Sequence, residues 1–312
     1  MLELFKDVKV DWLGKRRWFF IISIVLLLFG MASLLKERTF RYGVDFKGGT
    51  SVSVRFREHT PVDRIREILP KNSEIQEIAG TNEVLIEFEQ AAGDEDATRG
   101  QEMINQALNK TFQGKFDILK SESVGPKVGT DLRRKAVLAT LYALGGILVY
   151  IAFRFEWVYG AAAVFAVFHD TLVTLGLFSL FGKEINLTVI AALLTLVGYS
   201  VNDTIVVFDR VRENLKSRRR DDLETILNDS INQTLSRTIL TSGLTFMTVV
   251  ALFIFGGEVI NNFAFAMVAG IIVGTYSSIA VASPLVLIYT NWRASMVAQP
   301  AGAARVPRAK AK

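Results

Sequence analysis

The chain places a carboxylate, Asp203, inside an apolar stretch that is long enough to span a bilayer, in the run LVGYSVNDTIVVFDR at 196–210. A charged side chain in hydrocarbon is costly, so such a residue marks a candidate site for proton or ion transfer. The next long apolar stretch begins beside a residue of opposite charge, Arg237. We therefore predict a proton relay in which Asp203 alternates between a protonated state and a state paired with Arg237.

A third apolar stretch carries His169 and Asp170 about halfway along its length. Histidine titrates near neutral pH and can pass protons, and Asp170 adds a second carboxylate, so Asp170 is included in the predicted relay. The alternative is structural, because a buried ion pair or a polar stripe can simply fix how helices pack. Aspartyl proteolysis by Asp170 and Asp203 is less attractive, because Arg237 beside one carboxylate disfavours a shared proton.

Polar residues follow the charges at helical spacing on both of the stretches that carry Asp203 and Arg237. Steps of three and four residues place such side chains on one side of a helix. Since polar stripes facing lipid are unfavourable, we expect these two to face the bundle interior and each other. The supporting residues are Thr195, Tyr199 and Asn202 on the first stretch, and Thr241 and Thr245 on the second.

The elements that must position these residues are membrane helices. Half of the 312 residues are hydrophobic, and the charges are concentrated in a few segments. A spanning helix needs ~20 mostly apolar residues. Six windows qualify, at 18–35, 136–153, 157–181, 187–208, 238–256 and 263–290, with an N-terminal segment at 1–17 and a basic tail at 293–312.

Basic residues near the spans predict the orientation. With the N-terminus inside, most flanking Lys and Arg lie in the cytoplasm, as do both termini. The exception is the cluster at 133–135, which ends a long translocated segment, where the rule is weak. The basic tail would contact anionic membrane lipid.

The segment at 36–135 has the composition of a soluble domain. Alternation at 50–57 predicts a strand, and the order of predicted elements is β-α-β-β-α-β, with helices at 60–69 and 96–112. The expected fold is thus an all-α membrane bundle of six transmembrane helices with one α+β ferredoxin-like extracytoplasmic domain between the first two. That fold hosts many functions and identifies none.

Several function classes find no support in the sequence. Cysteine is absent, so a disulfide framework and thiolate metal sites are excluded. A phosphate-cradling Gly-rich loop and an HExxH pair are also absent. We therefore predict no enzymatic activity, no cofactor, no metal and no nucleic-acid partner.

Four motifs carry a family resemblance: GVDFKGG at 43–49, VGPKV at 124–128, VGYSVNDTIVVFDRVREN at 197–214 and NQTLSRT at 232–238. Together they resemble the SecF branch of the SecD/SecF family of protein-export membrane proteins, within the resistance-nodulation-division superfamily. The likeness covers residues from about 12 to 292. The motif around Asp203 is specific to SecF, whereas the Gly-Gly motif is similar to one in SecD.

The resemblance implies a multi-pass subunit of the bacterial inner membrane with a periplasmic domain. Its implied partners are SecD, the SecYEG channel, YajC and the translocating preprotein. It also implies use of the proton-motive force in protein secretion, with Asp203 and Arg237 at positions matching residues implicated in proton passage. A proton-driven exporter of small molecules or lipids and a structural scaffold for the channel are the alternatives. Whether Asp203 and Arg237 touch at rest is left open.

Overall fold

The structure is a computed structural model that describes residues 9–37, 41–58, 62–70, 73–78, 82–88 and 99–298. The predicted start of the first domain helix at residues 60–61 and most of the basic tail, from residue 299, lie outside the described residues. In chain order the elements are α1 (Arg16–Glu37), α2 (Val44–Lys47), β1 (Gly49–Phe56), α3 (Val62–Ile68), β2 (Ser73–Ile78), β3 (Glu83–Phe88), α4 (Arg99–Phe112), β4 (Phe116–Val124), α5 (Pro126–Arg154), α6 (Trp157–Leu180), α7 (Leu187–Ser217), α8 (Leu223–Phe255), α9 (Glu258–Ser277), a π-helix (Ser278–Ala282) and α10 (Ser283–Ala298).

Within the described part of the chain, six helical stretches are long and apolar enough to cross a membrane. They are α1, α5, α6, α7, α8 and the continuous stretch formed by α9, the π-helix and α10. Four of the predicted apolar windows lie within these stretches, and the other two extend one residue beyond them, to Phe181 and Gly256. The prediction of six candidate spans is confirmed.

Two of these helices begin well before the apolar windows that predicted them. Helix α5 starts at Pro126 and α8 at Leu223, ten and fifteen residues earlier than the windows. Hydropathy marks only the apolar part of a helix, and the backbone hydrogen bonds continue beyond it. The early turns of α8 pack along the end of α7, where the Asn214 side chain donates to Ser230 Oγ at 2.8 Å. The two helices thus form a long hairpin.

The α+β domain contains one antiparallel sheet with strand order β2-β3-β1-β4. Its elements follow the order β-α-β-β-α-β. One face is apolar and packs on α3 and α4, with Val52, Ile86, Ile65 and Ile104 fully buried. The alternation of side chains along a strand leaves the other face polar. This polar face lies toward one end of the helix bundle, which we call the domain end.

The chain between α1 and β1 joins the domain to the bundle. Gly43 N–H donates to Ile185 O at 3.0 Å, and Ile185 N–H donates to Arg41 O at 2.8 Å. At Gly48 the backbone has φ +79, and a Cβ there would lie 2.6 Å from Pro126 Cα. Glycine is required both for that backbone conformation and for the close approach of α2 to the start of α5.

Glycines also set the approach of helices within the bundle. A Cβ on Gly270 of α9 would lie 2.2 Å from a methyl group of Leu196 on α7, and one on Gly274 would lie 3.1 Å from Ser200 Cβ. Small residues let helix backbones approach closely inside a membrane. The close contact of α7 and α9 brings their polar side chains within hydrogen-bonding reach of one another.

Candidate functional site

Asp203 of α7 is buried, with 1% of its surface exposed. Its Oδ2 atom accepts a hydrogen bond from Ser242 Oγ of α8 at 2.7 Å and a longer one from Thr275 Oγ1 of α9 at 3.5 Å. One carboxylate therefore links three helices through neutral hydroxyl groups. Among the described residues, none of the basic side chains lies within ion-pair distance of Asp203.

Asp170 of α6 forms a second buried site of the same kind, also 1% exposed. Its Oδ2 atom accepts hydrogen bonds from Ser200 Oγ of α7 at 2.6 Å and from Ser277 Oγ of α9 at 2.7 Å. Its Oδ1 atom lies 3.0 Å from His169 Nδ1. The two carboxylate sites share helices α7 and α9, because Ser200 precedes Asp203 by less than one turn and Thr275 precedes Ser277 by two residues.

A π-helix begins directly after Ser277 and is buried along its whole length. Ser277 Oγ can donate either to Asp170 or to Gly274 O, which lies 3.2 Å away in its own helix. At the other end Ser283 Oγ donates to Ser278 O, five residues back. Single π-turns inside α-helices often occur at functional sites. Here the π-turn follows the residue that binds Asp170.

His169 Nε2, Thr204 Oγ1 and Thr238 Oγ1 are buried polar atoms without a hydrogen-bond partner among the described residues. Most buried polar groups in proteins are paired, so each exception calls for an explanation. All three belong to the helices that carry the carboxylates or Arg237. Each of these three polar atoms belongs to a residue adjacent in sequence to a residue of the predicted relay, so unpaired polar groups accompany the relay residues in the bundle interior.

Arg237 does not contact Asp203. Its side chain is exposed and forms no hydrogen bond or ion pair with the residues that the structure describes. The register of the α7–α8 hairpin explains the separation, because Asp203 meets Ser242 rather than Arg237. Arg237 precedes Ser242 by five residues, about 7.5 Å along the helix axis. The sequence places Asp203 and Arg237 at similar depths in the membrane, but their side chains are not in contact.

The predicted polar stripes lie next to each other, but they do not face the interior of this chain's bundle. Tyr199 Oη donates to Thr241 O at 2.9 Å, which joins α7 to α8. Thr195, Asn202 and Thr241 are exposed, and Thr245 is partly buried. Several of the threonine hydroxyls donate to carbonyls of their own helices. The expectation of an inward-facing stripe was wrong because α8 packs mainly on α7 and α9, while most of its apolar window is not buried. The stripes border this uncovered surface, which we call the open side of α8.

Sequence reasoning missed the hydroxyl groups that hold the two carboxylates: Ser200, Ser242, Thr275 and Ser277. A signal existed for Ser200, since it lies three residues before Asp203 on the same helical side. The residues of α8 and α9 gave no such signal, because serine and threonine are common in transmembrane helices as packing residues.

Six apolar helices with two buried carboxylates define a multi-pass membrane protein whose bundle contains ionisable groups. Comparison with known proteins gives its family. Residues 103–292 match the model of the protein export membrane protein SecD/SecF, C-terminal, and residues 38–58 match the SecD/SecF GG motif. The chain belongs to the SecD/SecF family of protein-export membrane proteins.

Full-length relatives agree. The protein translocase subunit SecF of Calditerrivibrio nitroreducens is 44% identical over 308 residues, which cover 94% of this chain and 98% of the relative. The SecF subunit of Koribacter versatilis is 40% identical, with 94% of each chain covered. The crystal structure of SecDF from Thermus thermophilus, described as a translocon-associated membrane protein, aligns with a TM-score of 0.80 at 38% identity. That alignment covers 91% of this chain and 39% of the SecDF chain.

Proposed function

We propose that this chain is a SecF-type accessory subunit of the Sec protein-export machinery. It acts with SecD and uses the proton-motive force to promote the translocation and release of preproteins. The accessory role in protein export is supported by relatives that are named protein translocase subunit SecF and are matched over nearly their whole length. Those names do not favour the exporter alternative.

The observation that carries the proton-linked part is the environment of Asp203. The carboxylate is buried and is held by two neutral hydroxyl groups from different helices. A negative charge that is buried without a counter-charge is costly, and binding a proton removes that cost. Proton binding also turns the carboxylate from a pure acceptor into a group with one O–H donor, and it weakens the charge-assisted bonds that Ser242 and Thr275 donate. Proton occupancy is thereby coupled to the packing of α7, α8 and α9.

Asp170 supplies a second proton-binding group in this proposal. Protonation of Asp170 would weaken the charge-assisted bonds that it accepts from the two serine hydroxyls, and Ser277 has an alternative acceptor in Gly274 O. Because Ser277 precedes the π-helix, this exchange would act on the irregular turn of the last span. A proton that crosses the membrane potential supplies ~2.3 kcal/mol per 100 mV. Repeated passage would therefore drive repeated helix movement without a nucleotide.

The membrane partner is proposed to be SecD, which would cover the open side of α8. Arg237, Asn202, Thr195 and Thr241 are exposed on this side of the isolated chain. Polar groups within a membrane bundle are normally buried against protein rather than lipid. The fused SecDF relative of Thermus thermophilus matches this chain over 40% of its own length. Its remaining length supports a SecD partner, and Arg237 would take part in the relay from that interface.

The remaining placements follow from this proposal. The chain lies in the bacterial inner membrane with both termini in the cytoplasm, as the basic flanking residues favour. The α+β domain is a ferredoxin-like unit in the periplasm. The SecYEG channel, YajC and the emerging preprotein are its further partners, and the basic tail contacts lipid.

The proposed SecD interface is testable by cross-linking, because the chain has no native cysteine. A single cysteine at the exposed stripe position, in Thr241→Cys, should cross-link to a cysteine on a SecD membrane helix in native membranes. The matched control is Met247→Cys, which is also exposed and lies about 120° around α8. Equal capture of SecD at both positions, or at neither, would remove the assigned interface.

The function itself is tested in membrane vesicles from cells that lack this chain. We expect late preprotein export to respond weakly to an imposed proton gradient, and the response to return when this chain and SecD are supplied together. Efflux of small molecules by this chain alone, with no effect on export, would instead support the exporter alternative. If export is restored but does not depend on the proton gradient, the chain would have only a scaffolding role.

A further inference from the structure

A cavity of about 660 Å³ separates the polar face of the sheet from the domain end of the bundle. Its walls come from the four strands of the sheet and residues 43–45, and from the α6–α7 loop and the adjoining ends of α8 and α9. The cavity is acidic, since six carboxylates and two lysines line it: Asp45, Glu77, Glu83, Glu87, Glu122 and Glu184, with Lys120 and Lys183.

Three of these carboxylates have partners of their own. Glu83 accepts from Arg55 Nε at 2.8 Å, and Glu122 lies 2.8 Å from Lys120 Nζ. Asp45 accepts the backbone N–H of Leu187 at 2.9 Å. Of the other three carboxylates, Glu87 and Glu184 lie on opposite sides of the cavity, one on the sheet and one on the bundle.

Glu87 of β3 and Glu184 of the α6–α7 loop line opposite walls of the cavity and interact with each other electrostatically. Two carboxyl groups at close range can hydrogen-bond only when one of them carries a proton, because the ionised groups are acceptors only. A proton shared by Glu87 and Glu184 would therefore join the α+β domain to the bundle. Charged groups around the pair come from each neighbouring element: Glu74 on β2, Lys47 on α2, Arg41 before α2, Lys183 beside Glu184, and Glu122 on β4.

Burial raises the pKa of Glu87 to about 8, and the negative charges of Glu184 and Glu74 add to the rise. Burial also raises the pKa of Glu184 above its ordinary value. Lys47 opposes both shifts without cancelling them. At neutral pH the pair thus retains its shared proton.

We propose that Glu87 and Glu184 form a proton-operated latch that docks the α+β domain on the membrane bundle. When the shared proton leaves, two adjacent negative charges repel each other, and Glu74 adds to the repulsion. The domain then separates at the latch while the hydrogen bonds of Gly43 and Asp45 to the same loop remain as a pivot. The latch provides a route from proton concentration to domain movement that is separate from Asp203.

The direction of the pH effect follows from the raised pKa. A carboxyl group whose pKa is higher in the docked state binds an extra proton there, so docking is favoured at low pH. Docking should become weaker as the pH rises from 4.5, the ordinary pKa of a glutamate side chain, to about 8, the raised pKa of Glu87. Within this window the docking constant falls by up to about tenfold per pH unit. Above it, both states are ionised and the dependence ends.

The test is a distance measurement on the full-length chain in lipid nanodiscs. Spin labels on Asn109→Cys of α4 and Phe255→Cys of α8, both exposed, report the distance between the domain and the bundle. We expect one short distance at pH 5 and a second, longer population that grows toward pH 9. The latch rests on the proposed function only in one respect, namely which compartment sets the pH around the cavity. The distance measurement does not involve export, so its failure would not count against the proposed function.

Neutral substitutions identify the groups responsible. Glu87→Gln removes the titrating charge, so the short distance should persist at pH 9, and Glu184→Gln should do the same from the bundle side. Glu122→Gln is the matched control in the same cavity and should keep the pH response. A distance that stays constant from pH 5 to 9 in the unsubstituted chain would overturn the latch. So would a pH response that survives in both the Glu87→Gln and the Glu184→Gln chains.

Discussion

Asp203→Asn is expected to abolish the part of preprotein export that depends on the proton gradient, while the chain still accumulates and assembles. Asparagine nearly matches aspartate in shape and can still accept from Ser242, so packing of α7 against α8 should survive. It cannot exchange a proton at this position. A proton that crosses 100 mV is worth ~2.3 kcal/mol, so the loss can reach about 50-fold in rate.

Export of a preprotein into membrane vesicles, with and without an imposed gradient, measures this effect. The matched control is Asp209→Asn, the same change on the same helix at an exposed carboxylate that pairs with Arg154 at 2.9 Å. Exposed ion pairs contribute ~1 kcal/mol or less, so this variant should keep the full gradient response. An equal loss in both variants would indicate a general effect of charge rather than a relay at Asp203.

Asp170→Ala is expected to destabilise the bundle by about 3 kcal/mol or more, which is large for a single substitution. The change leaves the hydroxyls of Ser200 and Ser277 and the ring of His169 without their shared acceptor. Each buried polar group that loses its partner costs ~1–3 kcal/mol. Thermal unfolding in detergent, followed by tryptophan fluorescence, measures the loss against Asp209→Ala, an exposed site where a change of ~0.5 kcal/mol or less is expected.

Asp170→Asn separates structure from proton binding at the same position. The amide oxygen can accept from both serines, and the amide N–H can donate to His169 Nδ1 once the ring proton moves to Nε2. We therefore expect Asp170→Asn to keep most of the stability that Asp170→Ala loses. Equal destabilisation by the two substitutions would contradict the hydrogen-bond arrangement described for this site.

Much of the architecture was predictable because hydrophobicity determines it. The window at 187–208 lies within α7, and the window at 157–181 matches α6 except for its last residue, since an apolar run of that length is stable as a helix inside a membrane. The strand predicted at 50–57 is β1, because alternation exposes one face and buries the other. Helix ends were less predictable, as α8 begins fifteen residues before its window.

The contacts of the carboxylates were harder to predict. Burial of Asp203 follows from its surroundings, but its partner depends on the register of the α7–α8 hairpin. A register error of five residues, about 1.4 turns, points to Arg237 instead of Ser242. Glu87 and Glu184 are far apart in sequence and lie in unrelated segments. Their contact requires the sheet to dock on the bundle, a tertiary event that local sequence patterns do not encode.

Asp203 is proposed to carry protons during export, and proton movement can be measured directly. In vesicles that contain the complete export machinery, proton flux should rise when a preprotein is being translocated. Asp203→Asn is expected to remove this export-linked flux, and Asp209→Asn to leave it unchanged. An undiminished export-linked flux in the Asp203→Asn vesicles would show that Asp203 does not carry protons during export.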